Sequence, residues 1–125
     1  MLNYLILSSG VLAAVTATVH IIVGGKEVTR PLLASAVDDV VKLTMYACWH
    51  LVSVALVLSA LALLAVGAGL VNAPALVAFV SALWILFGAV FLVVTLVVAQ
   101  PRGLLRLPQW VLLLPVGVLG LWGLA

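Results

Sequence analysis

Between Lys42 and Arg102 the chain carries no Asp, Glu, Lys or Arg. Its apolar runs, there and near the start, reach or exceed the roughly 18 to 20 residues that carry a helix across a bilayer. A soluble domain carries roughly a quarter charged residues. Here 6% are charged and 68% hydrophobic, with mean hydropathy +1.52, so no polar coat can cover the apolar part. The chain reads as an integral membrane protein. A transmembrane barrel would alternate polar and apolar residues in segments of about ten; these runs do not alternate, which leaves helices.

Four segments are predicted, at about residues 2–23, 37–67, 75–99 and 109–124, in one membrane domain covering residues 1–125. The expected fold is all-α, an antiparallel bundle of four transmembrane helices. Basic residues follow the first run instead of preceding it, the reverse of a secretory signal peptide, so an uncleaved first helix is expected. Gly24-Gly25 is predicted to close that helix, glycine being cheap in the left-handed conformation of helix ends. The polar stretch from Lys26 to Pro31 then reads as a loop.

Pro31, or Ser35 with Asp38 three residues on, would open the second helix. Asp38 and Asp39 fall in its first turn, where the helix dipole favours negative charge. Asp38 and Lys42 form an acid-before-base pair at i,i+4. At 1.5 Å per residue this segment is on the order of 45 Å long, against roughly 30 Å of hydrocarbon. Its first turns reach water, or the helix tilts. Asn72-Ala73-Pro74 makes the next turn, and the prolines and glycine at residues 100–108 break any continuous helix there. In the last segment Pro115 should kink the helix, while Gly117, Gly120 and Gly123 give it a smooth packing face.

Lys26, Arg30, Lys42, Arg102 and Arg106 are the five basic residues, and all fall at the first and third connections. The positive-inside rule makes those connections cytoplasmic and leaves both termini outside, in a bacterial inner (plasma) membrane. Arg30, Arg102 and Arg106 are read as setting topology and meeting anionic lipid. The basic pI of about 9.1 comes from these few side chains. There is no basic face with stacking groups, so nucleic acid is not an expected partner. The one cysteine, Cys48, excludes an intramolecular disulfide.

Chemistry is confined to His20 and His50 and the polar residues between them. On helix one, Ser9, Thr16 and His20 fall at helical spacing. On helix two, Asp39, Tyr46, His50 and Ser53 form a stripe flanked by Lys42. The two stripes can face each other, with the histidines at similar depth. An ionisable group inside a membrane is by default a functional-site hypothesis. Against it stands a structural role, in which a neutral histidine hydrogen-bonds across the helix pair for about 0.6 kcal/mol. Imidazole is the commonest transition-metal ligand, but two histidines would need Asp39, Glu27, Cys48 or a second subunit to complete a site. Haem would need only two axial ligands, so a transition metal or haem are the candidate cofactors. A proton or substrate relay would run from the histidines through Asp39, Lys42 and Tyr46. Cys48 reads as a small buried residue, and the four tryptophans as packing or interfacial anchors. No phosphate loop, nucleophile elbow or zinc-protease pattern occurs.

The run from His20 through Gly24-Gly25-Lys26-Glu27 to Arg30-Pro31-Leu32-Leu33, followed by Trp49-His50, resembles a group of small four-helix bacterial membrane proteins of unassigned function. That group has a histidine ending helix one, a glycine-acid-basic turn, a Pro-Leu-Leu and a Trp-His in helix two. In it the acid follows the glycine directly, whereas here Lys26 intervenes before Glu27. The resemblance covers roughly the first half of the chain and implies no activity.

The expected function is that of a small membrane protein which binds a ligand, metal or cofactor, or relays protons, through His20 and His50. Asp39, Lys42, Tyr46 and Glu27 would support the site. One alternative is an accessory or assembly subunit whose small-residue faces dock a larger membrane complex. Another is a small transporter acting as a homo-oligomer. No catalytic residue is assigned, and the lipid bilayer is the expected surrounding partner.

Overall fold

The computed structural model describes residues 1–98 and 107–125. Among them the chain is all-helical, with four helices, three of them long and apolar enough to cross a membrane. We number them α1 (Tyr4–Leu33), α2 (Asp39–Gly67), α3 (Pro74–Val98) and α4 (Trp110–Trp122). Arg102 and Arg106, and the end expected for the third segment at residue 99, lie outside the described residues.

The first helix is longer than the sequence suggests. Gly24-Gly25 does not end it, and α1 runs on for 30 residues to Leu33. Its first part, Tyr4–Val19, is α-helical; His20–Thr29 is π-helical; Arg30–Leu33 closes as an α-helical turn. The Arg30 N–H bonds the Gly25 carbonyl, five residues back, the mark of the wider π turn. Thr29 Oγ1 donates to the same carbonyl at 2.6 Å. Pro31 follows at the start of the closing α-helical turn and has no N–H to donate to the turn before it. Lys26, Glu27 and Arg30 are therefore exposed side chains of a helix and not of a loop.

The ends of α2 follow the local chemistry. Asp38 has a non-helical backbone and accepts from the Val40 N–H at 2.9 Å, a cap contributing about 1 kcal/mol. Ser35 takes no part in a capping box; its hydroxyl donates to Leu32 O and closes α1. With Asp38 committed to the cap, Lys42 pairs with Asp39 at 3.2 Å. At the far end the Leu70 N–H reaches Ala65 O and the Gly69 N–H reaches Val66 O. Gly69 sits between them at φ +75°, the left-handed closing position that glycine fills without strain. Pro74 then opens α3.

α1 is the central helix: α2 and α4 both pack on it, α3 packs on α4, and α2 meets α3 less extensively. Asn3 ties the arrangement together at one end. Its N–H donates to Gly67 O at 2.9 Å, its Nδ2 to Gly123 O at 2.7 Å, and its Oδ1 caps α1 through Ile6. Along the α1–α2 seam Asn3 meets Gly67, Gly10 meets Leu64, and Gly24 meets Trp49, so numbers rise on one helix as they fall on the other. The same holds for α3 and α4, where Ser81 meets Gly120 and Gly88 meets Leu114.

Glycine lets these seams close. A Cβ on Gly67 would lie 2.6 Å from Leu7 Cα, and one on Gly117 would lie 2.5 Å from Ser81 O. Small residues of this kind bring helix backbones together where lipid offers no hydrophobic driving force between helices. Gly117 and Gly120, read as part of a smooth packing face, are buried against the chain's own helices, so they are not free to dock a larger complex as the accessory-subunit alternative would need. The polar side chains of α3, namely Ser81, Trp84 and Thr95, are fully buried, and Ser9 Oγ donates to Val116 O at 2.7 Å. Large apolar side chains such as Leu51, Phe79, Leu86 and Val97 point outward.

Candidate functional site

The π-helical stretch makes its contacts outside α1 and its closing turn chiefly with α2. There the His20 imidazole lies flat on Trp49, with ring centroids 3.9 Å apart and planes 14° from parallel. Gly24, four residues on, supplies the space for that indole: a Cβ would fall 2.9 Å from Trp49 Cζ2, with the ring tip nearer still. Trp49 is thus held by a flat ring on one neighbour and a missing side chain on another. His20 is half-buried, and its Nε2 is buried with no hydrogen-bond partner.

His50 faces elsewhere. Being the next residue after Trp49, it points about 100° around α2, as 3.6 residues per turn require. It is exposed, and its ring meets Tyr46 edge-on, centroids 4.6 Å apart at 82°. The part of the α2 stripe expected at Tyr46 and His50 is therefore present. What faces His20 is Trp49, and the two imidazoles are joined through the consecutive residues Trp49-His50.

The other expected members divide among separate tasks. Ser9 bonds α4, Thr16 Oγ1 donates back to Leu12 O at 2.8 Å, and Ser53 Oγ donates to Trp49 O at 3.0 Å. Asp39 is exposed and its partner is Lys42, which lies eight residues before His50, roughly 12 Å along the helix. Glu27, Lys26 and Arg30 are exposed on the π turn and just beyond it. Cys48, expected to be buried, is an exposed free thiol on α2. Among the described residues no three His, Cys, Asp or Glu side chains gather where they could hold a metal ion.

Two features escaped the sequence reading. A groove of about 250 Å³ runs along α2 beside the start of the π stretch, lined by Ile21, Ser53, Val54, Val57 and Leu58. Its α2 residues follow His50 at three, four, seven and eight positions, the spacing of one helical face. That periodicity was available in the sequence; the neighbouring Ile21 was not. A second cavity of about 370 Å³ lies at the Asn3 end, with Asn3 and Asn72 among apolar lining residues.

Comparison with protein-family models, with curated proteins and with solved structures finds no match for this chain.

Proposed function

We propose that this is a small integral membrane protein of the bacterial inner membrane that binds a ligand or relays protons through His20 and His50. In this reading the helices form an antiparallel four-helix bundle, with both termini outside and the charged end of α1 and α2 in the cytoplasm. It is grouped with the small four-helix membrane proteins it resembles through its His20, Gly24-Gly25, Pro31-Leu32-Leu33 and Trp49-His50 residues. The observation that carries the functional reading is the unspent hydrogen-bonding capacity at the α1–α2 seam: His20 Nε2 is buried without a partner beside Trp49. A polar group left unpaired in a dry environment costs on the order of 1–3 kcal/mol, so a ligand or a transferable proton supplies what the fold withholds.

Asp39, Lys42 and Tyr46 extend the polar path from His50 toward the charged end. A metal remains within this proposal only with donors beyond this chain's two imidazoles, from a second copy or a bound molecule. Haem needs only two axial ligands, but His20 lies at the seam against Trp49 while His50 is exposed and points about 100° around the helix from that indole.

The test is retention. Wild type and a His20→Ala/His50→Ala variant, purified in mild detergent, are compared by native mass spectrometry, elemental analysis and proton uptake in liposomes. The proposal expects a bound small molecule, metal or proton flux present in wild type and lost in a variant that remains folded. Identical behaviour of the two proteins would sink it and leave the histidines structural, as in an accessory subunit.

A further inference from the structure

We propose that the His50 face of α2 binds an uncharged, lipid-soluble ligand of quinone type, with its ring at Tyr46 and His50 and its tail in the groove below. This rests on the proposed function and names the ligand class for it.

The first argument is exposure. His50 lies on the outer face of an apolar helix, eight residues past the last charged side chain, and makes no hydrogen bond among the described residues. A polar side chain at that depth faces a bundle interior or a partner as a rule. The α1–α2 packing leaves this one open to the bilayer side. Tyr46, one turn nearer the charged end, meets the His50 ring edge-on and likewise makes no hydrogen bond among the described residues. Two hydrogen-bonding side chains therefore sit side by side and unspent.

The second argument is direction. Helical side chains lean toward the helix N-terminus, which carries the His50 ring up onto Tyr46 and leaves the next two turns, Ser53 to Leu58, as the apolar groove with Ile21. An occupant thus has hydrogen-bond donors at its shallower end and hydrocarbon walls at its deeper end. That is how an amphiphile stands in a leaflet. The groove holds about 250 Å³, below the roughly 300–1,000 Å³ of pockets that enclose a whole ligand, which suits a molecule lying partly in lipid.

The third argument is charge. Lys42 is about 12 Å shallower along the helix and is already paired with Asp39. An anionic headgroup would stop there, at the level of the cations. A group that reaches His50 must be uncharged, must accept hydrogen bonds, and must carry its own apolar anchor. A quinone, with carbonyl oxygens on a flat ring and an isoprenoid tail, meets all three conditions.

The experiment uses the full chain in lipid nanodiscs with decyl-ubiquinone as probe, binding being followed by quenching of tryptophan fluorescence and by equilibrium dialysis. Saturable binding is expected, weakened at least tenfold in His50→Ala and severalfold in Tyr46→Phe. Val57→Trp, an outward position that fills the groove without touching the core, should weaken it comparably. Non-saturable partition that is the same in all four proteins would overturn the proposal, as would a stable dimer that buries His50 and excludes the probe. If the probe fails to bind while the His20/His50 variant still loses another ligand or its proton flux, the quinone assignment falls and the wider reading stands. If neither differs from wild type, both fall.

Discussion

His20 stacks flat on Trp49 at 3.9 Å, and Gly24 on the same helix leaves the space into which the indole fits. The three residues form one contact between α1 and α2, and each depends on the others. Gly24→Ala places a methyl group against the indole ring, so Trp49 must move and the stack must open. A loss of roughly 1–3 kcal/mol is expected, the usual cost of overpacking. Trp49→Ala should cost less in the Gly24→Ala background than alone. Thermal unfolding in detergent of the two single variants and the double variant measures this coupling; additive losses would show that the three do not act together.

Gly24 and Gly25 are neighbours in the sequence, but they do different things. A Cβ on Gly25 meets only Thr29 Oγ1 at 3.9 Å, an ordinary contact. Gly25→Ala should therefore be neutral or mildly stabilising, since alanine is favoured over glycine in a helix by about 1 kcal/mol. Gly67→Ala drives a methyl group into the Leu7 backbone, which cannot swing aside as a side chain can. It should be the more damaging of the two by well over 1 kcal/mol. Melting temperatures of the pair in one detergent decide the order.

Asp38 and Asp39 stand next to each other and separate cleanly by role. Asp38→Ala removes the cap on Val40 and should cost about 1 kcal/mol, whereas Asp38→Asn keeps an accepting oxygen and should cost little. Asp39→Ala removes an exposed pair with Lys42 and should cost roughly 0–1 kcal/mol, less still in high salt. Equal losses at the two positions would contradict this assignment.

Much of this was legible in the sequence. Four apolar segments, a helix opening at Asp38-Asp39 and a turn just before residue 75 follow from run length, capping chemistry and charge, all of which act locally. The continuation of α1 past Gly24-Gly25 did not. Glycine pairs end helices when nothing packs on them, and here an indole brought in from a residue twenty-five positions away rewards a helical Gly24. The π turn is equally hidden, because its bonds span five residues and leave no apolar repeat of their own. Trp49 looked like a packing residue and is one, yet its packing partner is His20. The glycines of α4 showed a packing face but not its direction, since α1 and α3 fill it from remote parts of the chain.

Asn3 offers a check on the opposite end. Its side chain joins α1 to Gly123 and caps its own helix, so Asn3→Ala should cost more than Ser9→Ala, which loses the one bond to Val116 O. Interhelical hydrogen bonds of the latter kind average about 0.6 kcal/mol in membranes. Unfolding of both variants in the same lipid–detergent mixture ranks them, and a Ser9→Ala loss larger than that of Asn3→Ala would mean the terminal tie is dispensable.

The proposed function requires the His20–Trp49 seam to lie inside a membrane beneath a cytoplasmic, helical charged end. Single cysteines at positions 20, 26, 30 and 124, each in a Cys48→Ser background, test that directly with a membrane-impermeant maleimide. Positions 26 and 30 should label in inverted vesicles and stay unlabelled in intact spheroplasts, position 124 should do the reverse, and position 20 should resist in both. Labelling of position 20 from either side at the rate of position 26, or of positions 26 and 30 from outside, would contradict the buried seam or its orientation.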